Sequence, residues 1–167
     1  MDGLDILVNN AGRGSAGFPG FVDITPEAYD AVFALNTRGL LFVTQQAVKM
    51  MRDGGRIITI SSMAAKIRMP GLATYSASKA AADAFTRILA MELAPRRITI
   101  NSINSGIVET DMTAGIDAER KAQLISMIPL GRIGQVNDIA DVAGFLASDD
   151  SRWITGLEIP ASGGRYI

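Results

Sequence analysis

Short runs of apolar and β-branched residues alternate with longer helical patterns along the whole of this 167-residue chain. Strands that are separated by helical crossovers of this length pair in parallel, with helices on both faces of the sheet. The alternation therefore predicts an α/β fold with four parallel strands in sequence order. The predicted strands are 4–9, 56–60, 98–103 and 156–160, and the predicted helices are 26–51, 74–94, 118–127 and 136–147.

The composition favours a single domain over residues 1–167 and argues against several kinds of partner. Hydrophobic residues make up 48% of the chain, charged residues 20%, and the net charge is -1. This balance predicts no nucleic-acid partner, and no apolar run reaches the roughly 18 residues of a membrane helix. Without a basic signal region or any cysteine, we expect a cytoplasmic protein.

The chain contains neither histidine nor cysteine, and this limits its chemistry. A Ser-His-Asp triad is impossible, and zinc and haem sites of the usual kinds are excluded, so we expect no metal centre. Any proton transfer must use Asp, Glu, Lys, Tyr or Ser side chains.

Residues 12–17 have the form G-x-G-x-x-G, which is typical of a dinucleotide phosphate loop. Such a loop must open a helix, because the pyrophosphate sits at the helix N-terminus. Here Phe18, Pro19 and Gly20 follow, and the next helix starts only after Thr25, which is a good N-cap. No acidic residue ends a second strand about 20 positions on. The sequence therefore predicts an ordinary glycine-rich loop.

A stronger signal overlaps this loop and continues along the chain. Five segments resemble, in order, motifs of the short-chain dehydrogenase/reductase family, and together they cover essentially the whole sequence. They are NNAG at 9–12, GRIITISS at 55–62, YSASK at 75–79, ITINSINSGIVETDM at 98–112, and the segment 129–156.

The sequence departs from the family pattern in two places. Ser105-Gly106 replaces the usual Pro-Gly, which makes that loop less stiff. The family also has a glycine-rich strand-turn-helix and two further strands before NNAG, about 80 residues in all. The resemblance therefore implies a partial doubly wound, Rossmann-like sheet that lacks the first three strands. We expect this chain alone to bind NAD or NADP weakly or not at all.

Four residues form the candidate catalytic set: Asn36, Ser62, Tyr75 and Lys79. Tyr75 and Lys79 are four apart on a predicted helix and share one face. A nearby ammonium favours the phenolate, so we expect Tyr75 to exchange a proton near neutral pH. The resemblance implies that Tyr75 is the acid/base, that Ser62 binds the substrate oxygen, and that Asn36 holds a proton-relay water.

The resemblance also implies hydride transfer between NAD or NADP and a secondary alcohol or ketone. The residues that would contact the cofactor are Asn10, Ala11, Gly12, Tyr75, Lys79, Gly106, Val108 and Thr110. Asn9 is interpreted as structural, bonding across strands. Segment 110–128 resembles the family's substrate lid, and its apolar residues suggest a moderately apolar substrate. These residues are Met112, Ile116, Leu124 and Met127.

An oligomer, a dimer or a tetramer, is also expected. Residues 4–8 form an edge strand that is apolar on both faces, and such edges invite pairing. The small residues of the long helix either belong to the core or permit close helix-helix approach, as in the family's oligomer interface. They are Ala77, Ala80, Ala81 and Ala84.

Two other classes of function stay open at this stage. Ser76 and Lys79 fit S-x-x-K, the nucleophile motif of penicillin-binding enzymes, but the companion motifs S-D-N and K-T-G are missing. A catalytically silent, truncated remnant that serves as an oligomerisation or partner-binding module is the second alternative.

Overall fold

The computed structural model describes residues 3–15 and 17–165, and a four-stranded parallel sheet forms their centre. The strands lie in the order β1-β2-β3-β4, which confirms the predicted topology. β1 is Leu4–Asn9, β2 is Met51–Ser62, β3 is Thr99–Ser105 and β4 is Glu158–Ala161.

Five α-helices flank this sheet among the described residues: α1 (Pro26–Phe33), α2 (Leu40–Met50), α3 (Ala73–Leu93), α4 (Ala118–Ser126) and α5 (Val136–Ala147). The hydroxyl oxygen of Thr25 accepts from Ala28 N–H at 3.2 Å, so it caps α1 as expected. Instead of one continuous helix over 26–51, a π-helical segment, Ala34–Gly39, joins α1 to α2. In the described part of the chain, we find no helix with the length and apolarity needed to cross a membrane.

Adjacent residues of β2 point to opposite faces of the sheet and belong to separate hydrophobic clusters. Ile57 packs with Leu93 of α3, whereas Ile58 packs with Leu146 of α5. Because side chains alternate along a strand, two successive isoleucines serve both faces. The double-sided burial explains why the strand segments are continuously apolar, and it places α3 and α5 on opposite faces.

The start of β2 differs from the prediction. The strand begins at Met51, directly after α2, and not at Arg56. Leu4 pairs with Met51 but Ile6 pairs with Arg56, so the strand is irregular around Gly54, whose φ is +83°. A glycine tolerates this left-handed conformation, and the chain can therefore turn within the strand.

The exposed side of α3 corrects one interpretation of its alanines. Ala77 and Ala80 are exposed and therefore are not core residues, while Ala81 and Ala84 are half-buried. The buried side of the helix that faces the sheet carries Ala82 and several polar residues.

β1 lies at the edge of the sheet, as the sequence predicts, because it pairs only with β2 among the described residues. Its Ile6 and Val8 side chains are 44% and 46% exposed. This strand therefore presents both unpaired backbone groups and apolar side chains to its surroundings.

Candidate active site

The candidate site lies where the strands end. Asn9, Ser62 and Ser105 are the last residues of β1, β2 and β3. Ser62 is paired with Ser105 across β2 and β3, so the two strands end side by side. In parallel α/β sheets this carboxyl edge is where ligands bind.

Three predicted side chains come together at this edge. Tyr75 and Lys79 lie in the first two turns of α3, and the Ser62 side chain is hydrogen-bonded to that of Tyr75. The ammonium of Lys79 lies 5.9 Å from the centroid of the Tyr75 ring and donates to the Ile60 carbonyl at 2.9 Å. α3 and the end of β2 thus bring Ser62, Tyr75 and Lys79 together at the carboxyl edge of the sheet.

The ionisation of Tyr75 differs from the sequence-based expectation. Burial raises the pKa of the Tyr75 phenol above its ordinary value, and the hydrogen bond with Ser62 opposes this only in part. From the sequence, the nearby ammonium is expected to favour the phenolate, but the net shift runs the other way, because burial disfavours the charged form of Tyr75. Tyr75 is a neutral phenol at neutral pH, which suits a proton donor.

We expect Tyr75 to ionise above the free-tyrosine value of about 10, because burial disfavours the charged form. The folded state then binds this proton more tightly than the unfolded state does. The unsubstituted protein should therefore lose stability relative to the Tyr75→Phe variant as the pH rises above about 10. Below about pH 10, the difference in stability between the two should not change with pH. Phenolate absorbance measured against pH reports the ionisation of Tyr75, and urea unfolding at several pH values reports the change in stability. The absorbance titration of the Tyr75→Phe variant is subtracted from that of the unsubstituted protein to isolate Tyr75. A midpoint below that of free tyrosine would contradict the raised pKa of Tyr75.

Lys79 is 6% exposed, and its surroundings act on its charge in two opposite ways. The pKa of the Lys79 ammonium lies below its ordinary value, because burial lowers it by more than the Asp83 carboxylate raises it. An ammonium has three N–H donors, and within the described residues the Ile60 carbonyl is the only acceptor for the Lys79 ammonium. A Cβ built on Gly12 would lie 3.3 Å from the Lys79 Nζ, so the loop after β1 passes close to this ammonium.

Asn36 lies behind these groups, 1% exposed and inside the π-helical segment. Its Oδ1 accepts from Arg13 N–H, and its Nδ2 donates to the Arg13 carbonyl, both at 2.9 Å. The same Nδ2 donates to Ser78 Oγ at 3.0 Å. Asn36 therefore ties the loop after β1 to α3. Its side-chain amide hydrogens are taken up by these contacts, and the predicted role in holding a water stays a prediction.

The loop after β1 contains the first group of predicted cofactor contacts. Asn10 and Ala11 are exposed, and Gly12 is half-buried beside Lys79. Asn9 donates to Thr44 Oγ1 of α2 at 2.9 Å, so its structural bond runs to a helix and not across strands. Only a short 3-10 turn, Phe21–Asp23, precedes α1 in the described part of this loop. The structure thus confirms that these glycines open no helix; Ala16 lies outside the described residues.

The second group of predicted cofactor contacts follows β3. Gly106 N–H donates to the Ala161 carbonyl at 2.9 Å, and Thr110 N–H donates to Thr113 Oγ1 at 3.0 Å. The Val108 N–H has no acceptor in the described part of the chain. Among these three amides, that of Val108 is therefore the one available to a ligand.

Sequence reasoning missed two residues of this site. Ser78 is fully buried, accepts from Asn36, and donates to the Tyr75 carbonyl at 2.7 Å. Its position three residues after Tyr75 is a helical spacing that points to the same face. Arg13 contributes only main-chain atoms to Asn36, and such a contact leaves no side-chain pattern to read.

A protein-family model described as enoyl-(acyl carrier protein) reductase matches residues 1–165. The chain belongs to the short-chain dehydrogenase/reductase family. The resemblance that the motifs indicated is thereby confirmed.

Three members of the short-chain dehydrogenase/reductase family show how far the similarity extends. An uncharacterized oxidoreductase of Methylorubrum extorquens is 48% identical over 164 residues, which is 96% of this chain and 65% of that protein. Versicolorin reductase 1 of Aspergillus parasiticus is 39% identical, over 98% of this chain and 66% of that protein. The crystal structure of the landomycin C-6 ketoreductase LanV with bound NADP and rabelomycin has a TM-score of 0.86 and 39% identity, covering 97% of this chain and 61% of that chain. The chain thus spans less than two thirds of the length of these relatives.

Proposed function

We propose that this chain carries the reacting groups of an NAD(P)H-dependent ketoreductase, with Tyr75 as the proton donor. The observation that carries this proposal is the convergence of Ser62, Tyr75 and Lys79 at the carboxyl edge of the sheet. The names of two relatives, a versicolorin reductase and a ketoreductase with bound NADP, support a ketone as substrate.

The available donors suit the nicotinamide end of such a cofactor. Lys79 has free N–H groups beside Gly12, which can donate to ribose hydroxyls, and the Val108 N–H can donate to a carboxamide oxygen. When bound there, the nicotinamide supplies a hydride to the substrate carbon. We propose these groups as the cofactor contacts, with Asn10 and Ala11 contributing backbone atoms from the same loop.

The protein then has to deliver one proton. The Tyr75 phenol would donate its proton to the substrate carbonyl oxygen, and with a hydride added to the carbonyl carbon the product would be an alcohol. Ser62, already hydrogen-bonded to Tyr75, is placed to donate to the same oxygen. The Lys79 ammonium, 5.9 Å from the ring centroid, stabilises the phenolate that remains on Tyr75. Asn36 fixes the loop and the helix that hold these groups.

The approach to the site is apolar on two sides. Met112 is 59% exposed, and its Sδ lies 3.8 Å from a Cβ built on Gly14 in the loop after β1. Phe18 is 69% exposed and lies against Gly71, shortly before Tyr75. Exposed apolar side chains on both sides favour a moderately apolar ketone.

Turnover of the 167-residue polypeptide tests this function. Bicyclic aromatic ketones, simple aliphatic ketones and an acetoacetyl thioester are incubated with NADH, with NADPH, or with reduced nicotinamide mononucleotide. We expect slow alcohol formation, fastest with the apolar ketones, and acceptance of the mononucleotide. A folded chain that forms no alcohol at any cofactor concentration would overturn the proposal.

A second candidate function, an oligomerisation module without catalysis, has one observation in its favour. Phe42 and Val43 on α2 are 47% and 55% exposed, and Ile6 and Val8 on β1 are exposed to a similar extent. We propose that such surfaces pair in a cytoplasmic homo-oligomer. An oligomer in light scattering with no turnover in the assay above would favour this second function.

A further inference from the structure

Asp83 is a buried carboxylate that the proposed proton transfer does not use. It lies on α3 four residues after Lys79, hence on the same face of the helix, and is 3% exposed. Its Oδ1 accepts from Ser102 Oγ at 3.0 Å, and its Oδ2 accepts from Asn104 Nδ2 at 2.7 Å. Both donors are neutral side chains of β3, so they solvate the carboxylate without balancing its charge.

A buried charge is costly unless an opposite charge compensates it. The cation next along this face of α3 is Lys79, which is buried as well, and the two charges act on each other electrostatically. Tyr75 and Asp83 are the titratable groups of α3 that face Lys79. β2 presents the Ile60 carbonyl to it, and the loop after β1 presents Gly12.

Asn104 connects the same carboxylate to a second part of the site. Its Nδ2, which donates to Asp83, also donates to the main-chain carbonyl of Ser62 at 3.3 Å. The carboxylate therefore reaches Lys79 through its charge and Ser62 through one intervening amide. Both Lys79 and Ser62 are members of the proposed catalytic set.

We propose that Asp83 is a positioning residue, whose carboxylate keeps Lys79 an ammonium and, through Asn104, holds the main chain at Ser62. The meaning of this arrangement for catalysis rests on the proposed ketoreductase function. The charge pairing itself needs neither substrate nor cofactor and can be measured in their absence.

The test follows the titration of Lys79 directly. The chain has four lysines, so NMR spectra of the protein with isotope-labelled lysine side chains are simple, and the signal missing from Lys79→Met identifies Lys79. Asp83→Asn keeps the shape but removes the charge, and we expect a downward shift of the Lys79 titration midpoint. Asp141→Asn, which removes the same charge from an exposed position of α5, should cause no shift.

Two further variants separate charge from structure. Ser102→Ala removes one hydrogen bond to Asp83 but keeps the carboxylate, and should leave the Lys79 midpoint nearly unchanged. Asp83→Ser removes the charge in a smaller side chain and should reproduce the shift if the asparagine variant unfolds. An unchanged Lys79 midpoint in a folded variant without the carboxylate would overturn the proposal. Absence of ketone reduction would count against the proposed function and not against this charge pairing.

Discussion

Tyr75→Phe should lower kcat/KM for ketone reduction by about 10²- to 10⁴-fold, which is the range for loss of a general acid. The phenol of Tyr75 is the proposed proton donor, and a phenylalanine ring at this position has no proton to give. The Ser62 hydroxyl remains near the substrate oxygen in the variant, so residual activity should depend on it. Rates measured under single-turnover conditions report this step separately from product release.

The same substitution should leave the fold intact. Phenylalanine retains the ring that lies under Lys79, and only the hydrogen bond with Ser62 is lost. We expect a change in the free energy of unfolding of no more than about 1 kcal/mol, the usual net value of one neutral hydrogen bond. Tyr29→Phe is the matched control, because Tyr29 is 43% exposed and stacks on Phe33, away from the site. Full activity in Tyr75→Phe would exclude the proposed acid role.

Much of the fold could be predicted because local patterns and tertiary structure agree here. The strand 4–9 and the helix 136–147 have the predicted bounds, since periodicity and end signals coincide there. The juxtaposition of Tyr75 and Lys79 follows from helical spacing, and the position of Ser62 follows from its place at a strand end.

Other features depend on contacts between segments that are far apart in sequence. The sequence around Asn36 predicts a regular helix, but this segment is π-helical in the structure. Within it, the Asn36 side chain forms hydrogen bonds with Arg13 and Ser78, which lie in other parts of the fold. The raised pKa of Tyr75 reflects burial, which only the packed structure determines. Asp83 reads as an ordinary polar residue of a long helix, and its partners come from β3.

A polypeptide restricted to these 167 residues should bind NADPH and NADH about a thousandfold more weakly than relatives of full length do. The proposed contacts, Lys79 and Val108 among them, reach the nicotinamide and its ribose. The chain spans 65% of the Methylorubrum relative, and β1 is the edge strand of the described sheet, with the side chains of Ile6 and Val8 exposed. Loss of even three polar contacts with the adenosine half, at about 1.5 kcal/mol each, accounts for such a factor.

Calorimetry with NADPH and with reduced nicotinamide mononucleotide distinguishes the two halves of the cofactor. If only the nicotinamide end is held, both ligands should bind this polypeptide with similar affinity, because the adenosine half adds few contacts. Lys79→Met should then weaken the binding of both ligands to the same extent, because the Lys79 ammonium contacts the nicotinamide ribose that both ligands contain. Binding of NADPH at micromolar concentration, with the mononucleotide far weaker, would contradict the prediction. The adenosine half would then lie on a surface of this chain other than the loop after β1, whose glycines open no helix for the pyrophosphate.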